Sequence, residues 1–142
     1  MRRFFVSIAL LLCAAPTLAA MQTKPVEWKI SKDSFSGVLV FDDANAIKRP
    51  GVVMVPDWMG VTDNAVAKAK SIAGDDYVVL VADVYGKNVR PKNDGEAKAQ
   101  TEKLYADRKV LRARVAKALE VLKAQAGKAP VDAGKLGAIG YC

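Results

Sequence analysis

The sequence predicts an α/β domain of three layers, in which a mostly parallel sheet carries an antiparallel hairpin at its N-terminal edge. Three observations predict it. Tyr77-Val-Val-Leu-Val-Ala82 has no polar residue on either face, as a parallel strand covered on both sides requires. Two further short apolar runs, Gly51–Val55 and Leu136–Ile139, are set apart by stretches whose apolar residues recur at helical spacing. Finally, Val26–Ile30 alternates apolar and polar residues, and Phe35–Phe41 gives a second β-prone run after the turn-like Ser31-Lys-Asp-Ser34.

Taken in order, the hairpin is followed by a polar connection from Asp42 to Pro50, then by Gly51-Val-Val-Met-Val55, β-branched and too short for a helix. Pro56–Asp63 is a loop at the end of that strand, where α/β sheets hold their ligands. Thr62 or Asp63 caps a helix whose Val66, Ala69, Ile72 and Ala73 turn inward while Lys68, Lys70 and Ser71 face away, and Gly74 ends it. A right-handed crossover then leads to Tyr77–Ala82. Asp83-Val-Tyr-Gly-Lys87 leaves at the ligand edge, with Asp83 as a strand-end capping group, and Asn88–Gly95 is a loop. From Glu96 to Ala126 the pattern is helical, with a break near Thr101; Leu104, Leu111, Val115, Ala118, Leu119 and Leu122 line one face. Gly127 closes the helix, Pro130 prevents its return, and Asp132-Ala-Gly134 turns the chain into its last strand.

That last stretch, Lys135-Leu-Gly-Ala-Ile-Gly-Tyr-Cys142, reads as a buried strand delivering a thiol to its own C-terminal end. Gly140-Tyr-Cys142 is the first half of a G-x-(Ser/Cys)-x-G turn, which exposes a nucleophile at the top of a sheet.

The chain has 142 residues, 51% hydrophobic and 26% charged, which is enough for one domain with a core. Residues 1–20 are set aside as a signal peptide, and 21–142 form the domain. Arg2-Arg3, the apolar run Phe4–Cys13 and small residues to Ala20 make a secretory leader, with cleavage expected after Ala19 or Ala20. The apolar run is too short to span ~30 Å of hydrocarbon, so export to the periplasm or medium is expected, not a stable membrane anchor. Leu12 stands before Cys13 where a lipoprotein signal needs a small residue, so lipidation is not expected. Arg2-Arg3 partly resembles a twin-arginine leader, which leaves the export route open.

Removing the leader leaves Cys142 as a single cysteine, without a partner, in a compartment where thiols ordinarily pair. Such a thiol is an intermolecular link or a reactive group, and its place after Gly-Tyr favours the second. The formal net charge is +7, of which Arg2 and Arg3 supply two. The rest concentrates between Lys98 and Lys128 as a solvated helix face; with no nucleic-acid reader motif beside it, no nucleic-acid partner is expected.

Three stretches together carry a resemblance: Val55-Pro-Asp-Trp-Met-Gly60, Val78-Val-Leu-Val-Ala-Asp-Val-Tyr-Gly-Lys87 and Lys135–Cys142. In this order and approximate spacing they resemble the N-terminal half of the dienelactone hydrolase family, a branch of the α/β hydrolases that uses a cysteine nucleophile. The resemblance runs from about Val26 to Cys142. It implies a sheet of the α/β hydrolase type, here truncated after the nucleophile strand, and hydrolysis of a small-molecule ester or lactone without metal or organic cofactor.

By the same resemblance Cys142 is the nucleophile, and the Trp58 backbone N–H is half of the oxyanion hole. The Trp58 indole either lines the acyl pocket or packs. Asp57 stands where the family commonly has a glutamate contacting the resting cysteine; being one methylene shorter, it either keeps that role or caps the following turn. Tyr85 and Lys87 match the family's aromatic and cationic substrate-binding positions. Lysine lacks the bidentate fork of the family's arginine, and an ordinary solvated loop residue is the other reading of it.

The family's triad also needs an Asp and a His from beyond the nucleophile, and the sequence contains no histidine. The 142 residues are therefore expected to be inactive alone. The alternative is a non-catalytic exported remnant or binding protein of the same fold. Against it, the nucleophile strand would then be a sheet edge with unpaired backbone that invites aggregation.

Overall fold

The computed structural model describes residues 20–142. The leader expected over residues 1–20 lies, Ala20 apart, outside the described residues. The elements run β1 (Met21–Ile30), β2 (Asp33–Asp42), β3 (Arg49–Val55), α1 (Asp63–Ala73), β4 (Val78–Val81), α2 (Asp94–Ala106), α3 (Arg108–Lys123) and β5 (Val131–Gly140). Five strands form one mixed sheet in the order β1-β2-β4-β3-β5, antiparallel from β1 to β4 and parallel across β4, β3 and β5.

Successive side chains of a strand point to opposite faces, so each central strand feeds two cores. Val53 and Leu80 face Leu104, Ala118 and Leu122 of α2 and α3. Their neighbours Met54, Val79 and Val81 face Ala65, Ala69 and Ala73 of α1. Alanine at every fourth position gives α1 a flat side on which it lies against the sheet. Thr62 caps it, its hydroxyl accepting the Ala65 N–H at 3.2 Å. These are the three predicted layers.

Two expectations need correction. The helical break falls at Asp107, not near Thr101. Thr101 lies inside α2, its hydroxyl within reach of the Ala97 carbonyl (2.9 Å), whereas the Asp107 carboxylate accepts the Lys109 and Val110 N–H groups and starts α3. The last strand is also not buried along its length: Val131 is, and the following residues are half-buried or exposed. Among the described residues β5 pairs with β3 alone. The expected turn at Asp132–Gly134 is present as an interruption within β5. The Asp132 carboxylate accepts the Gly134 N–H at 2.9 Å, and the pairing jumps from Pro50↔Asp132 to Gly51↔Leu136.

Candidate active site

The parallel strands β3, β4 and β5 end at one rim, and the segments leaving them converge. Tyr141, just past β5, donates its N–H to the Val55 carbonyl at the end of β3 (3.1 Å), which fixes Cys142 beside the loop that follows β3. Cys142 is an exposed free thiol with φ 73°. A left-handed backbone costs a non-glycine residue roughly 1–2 kcal/mol.

The loop after β3 is a tight turn, in which Gly60 N–H donates to the Asp57 carbonyl at 2.9 Å. Gly60 has φ +75°, and a Cβ there would lie 3.2 Å from the Tyr85 ring, so glycine is needed for both conformation and space. The Asp57 carboxylate accepts the Met59 N–H at 3.1 Å and pairs with Lys68 of α1 at 3.4 Å. It thus caps the turn, one of the two roles the sequence left open. The Trp58 carbonyl accepts the Tyr85 hydroxyl at 2.9 Å. Among the described residues the Trp58 N–H has no acceptor, so it is a donor available to a ligand.

Tyr85 reaches this turn from the segment after β4, which Asp83 anchors. Buried, Asp83 accepts N–H groups of Ser36, Tyr85 and Gly86 and pairs with Arg90, the strand-end capping that the sequence predicts. The Tyr85 hydroxyl also lies 3.1 Å from Thr101 of α2. Burial pushes this phenol above its ordinary value of 10.0; the Thr101 hydrogen bond opposes the shift, while Tyr105, Asp57 and Cys142 add to it. Tyr85 therefore stays a donor and holds the Trp58 turn.

Cys142, Asp57, Trp58 and Tyr85 line one cleft of about 200 Å³, completed by Val55, Pro56, Val84, Thr101, Leu104, Tyr105, Leu111 and Tyr141. Lys87 is not brought to it. Its ammonium is drawn 2.8 Å from the Glu27 carboxylate of β1. Conversely, Lys68, which the helical pattern turns away, reaches Asp57 and lies 5.0 Å from the centre of the Tyr141 ring. A larger groove of about 440 Å³ lies among the segments preceding β3 and β5, lined by residues such as Asn45, Lys48 and Lys128. None of Cys142, Asp57, Trp58 and Tyr85 lines it.

The model of the dienelactone hydrolase family matches residues 35–142. Among solved structures, a protein named m3DLH is 34% identical with a TM-score of 0.78. A dienelactone hydrolase-like promiscuous phosphotriesterase, P91, from metagenomic libraries is 30% identical with a TM-score of 0.78. Each alignment covers 87% of this chain and 50% of the other. A dienelactone hydrolase from Anabaena variabilis, 16% identical with a TM-score of 0.59, shares the fold over 85% of this chain and 52% of its own. The chain thus spans about half the length of the structures it matches. No curated protein matches it.

Proposed function

This chain belongs to the dienelactone hydrolase family, and we propose that its residues supply the nucleophile and an oxyanion donor to an exported hydrolase of small-molecule carboxylic esters or lactones. The sulfur of Cys142 attacks the carbonyl carbon as a thiolate. The electron pair displaced onto the carbonyl oxygen is received by the Trp58 N–H, a donor that needs no reorganisation as charge develops. Collapse of the tetrahedral intermediate expels the alkoxide, which takes up a proton, and leaves a thioester on Cys142. Water then hydrolyses the thioester, releasing the acid and returning the thiol.

The observation that carries this proposal is the meeting of Cys142 with the Trp58 turn in one cleft. Asp57 acts through the shape of that turn, and Lys87 is left out of the site. With no histidine among the 142 residues, the general base and its carboxylate partner come from outside them.

The test is a pre-steady-state experiment on the longest protein encoded with these residues, using p-nitrophenyl acetate. A burst of nitrophenol with one acetyl group on the Cys142 peptide, absent in Cys142→Ala, is expected. Acylation at another residue, or full turnover by Cys142→Ala, would overturn the mechanism. Export, the second part of the proposal, is checked by finding a mature N-terminus after Ala19 or Ala20.

A further inference from the structure

We propose that Asp43 is the receiving site for the N-terminus of the processed protein: cleavage after Ala19 leaves Ala20 first, and its α-ammonium pairs with the Asp43 carboxylate. This deepens the export part of the reading above and rests on it. The Ala20 nitrogen lies 3.1 Å from one Asp43 oxygen, and the Asp43 N–H donates back to the Ala20 carbonyl at 3.3 Å. The Gln22 amide donates to the other oxygen at 2.7 Å. Both carboxylate oxygens thus serve the first residues of the chain that enters β1. Among the described residues no lysine or arginine forms an ion pair with Asp43, although Lys48 and Lys128 line the same groove.

With the leader attached, the Ala20 nitrogen is a neutral amide with one N–H. Cleavage before it turns the same atom into an ammonium with three, charged at neutral pH. A carboxylate that until then accepts only neutral donors gains a cation at hydrogen-bonding distance, and the backbone need not move.

A cut one residue later forfeits the pair. The chain would begin at Met21, which stands opposite Asp42, and both backbone links to Asp43 would leave with Ala20. The sequence favours the earlier cut as well. A processing site takes small residues at the last and third-last leader positions; Ala19 and Thr17 supply them for the cut after Ala19, whereas the cut after Ala20 puts Leu18 third from the end.

This corner is remote from β5. β1 is the other edge of the sheet, and the antiparallel pairings of β1 with β2 and of β2 with β4 set Met21 at the rim opposite to that of Cys142. Met21 packs against the core beneath α1, so Ala20 stands directly outside the packed strand. Strands open locally from their ends, and a pair at this residue restrains the end of an edge strand.

The experiment uses the longest protein encoded with these residues. Exported protein is sequenced from its N-terminus, and Ala20 is expected first. Two preparations are then released from fusions, one starting at Ala20 and one keeping Leu18-Ala19 before it, which leaves the Ala20 N–H in place and moves the charge away. Hydrogen exchange over residues 21–26 is followed by mass spectrometry in both, for the parent chain and for Asp43→Asn, whose amide oxygen can still accept from Ala20. Dividing the parent ratio by the Asp43→Asn ratio cancels the effect of a terminal charge on exchange at neighbouring amides.

After that division the Ala20 start should be about threefold more protected, the scale of an exposed ion pair. Sodium chloride at about 1 M should bring the ratio close to one. Met21 as the exported start, or a ratio of one at low salt, would overturn the proposal and leave export standing. An uncut leader overturns export and this proposal together, and the N-terminal sequence tells that result from the other two.

Discussion

Replacing Asp83 by asparagine removes one charge and no volume, so its effect isolates the hydrogen bonding that ends β4. Asp83 is 2% exposed. One carboxylate oxygen accepts the Tyr85 and Gly86 N–H groups at 3.1 and 2.9 Å; the other accepts Ser36 N–H at 3.0 Å and both Arg90 terminal nitrogens at 3.3 Å. An amide has one oxygen. Whichever side it serves, its NH2 group faces donors on the other, and at least two N–H groups lose their acceptor. Each buried donor left unpaired costs about 1–3 kcal/mol. The Arg90 side chain is 35% exposed and solvated, so its share is set low. The sum is roughly 3–4 kcal/mol, a large part of the ~5–15 kcal/mol that holds a domain folded. Urea unfolding of the chain at neutral pH, followed by tryptophan fluorescence, should show a midpoint about 2 M lower at unchanged slope. A shift under about 0.5 M would refute the reasoning, because it would mean that the two oxygens are not both required.

Three further outcomes are expected. Gly60→Ala should lower stability by about 1–2 kcal/mol, since alanine resists φ +75° and its methyl would press on the Tyr85 ring; thermal unfolding measures this. Thr62→Ala should cost about 1 kcal/mol through loss of the α1 cap, read as a lower urea midpoint. For Tyr85 the sign follows from burial raising its pKa in the folded chain. The unfolded chain ionises at the ordinary 10.0 while the native phenol keeps its proton, so native stability is lost as pH rises above that value. Urea midpoints at pH 9 and 11 should therefore differ less in Tyr85→Phe than in the parent chain.

What is legible in the sequence is what local chemistry decides. Val78–Val81 is legible because a short, β-branched apolar run suits a strand covered on both faces, and β4 lies between β2 and β3 with helices on either side, while Tyr77 before it is exposed. Thr62 is legible as a cap because its hydroxyl reaches a donor three residues away. The Thr101 region misleads because periodicity weighs side chains by polarity. It cannot register that this hydroxyl has the Ala97 carbonyl and the Tyr85 hydroxyl within reach, nor that Asp107 meets two free N–H groups. The exposure of β5 is not legible, since an apolar composition says what a strand could be covered by and not what covers it.

The same distinction runs through the site. Asp57, Trp58 and Cys142 occupy segments leaving neighbouring strand ends, so the topology that unites β3 and β5 unites them as well. The two lysines depend instead on partners remote in sequence. Lys87 finds Glu27 sixty positions earlier, and Lys68 finds Asp57 and a ring next to the thiol. A long, flexible cation goes to whichever carboxylate or aromatic face the finished fold offers it, and neither its neighbours in sequence nor its helical phase records that destination. Backbone donors such as the Trp58 N–H follow the turn that carries them. This cleft therefore orients its free backbone donor, the Trp58 N–H, by local conformation, while the charges around it are set by contacts that exist only once the sheet and helices have assembled.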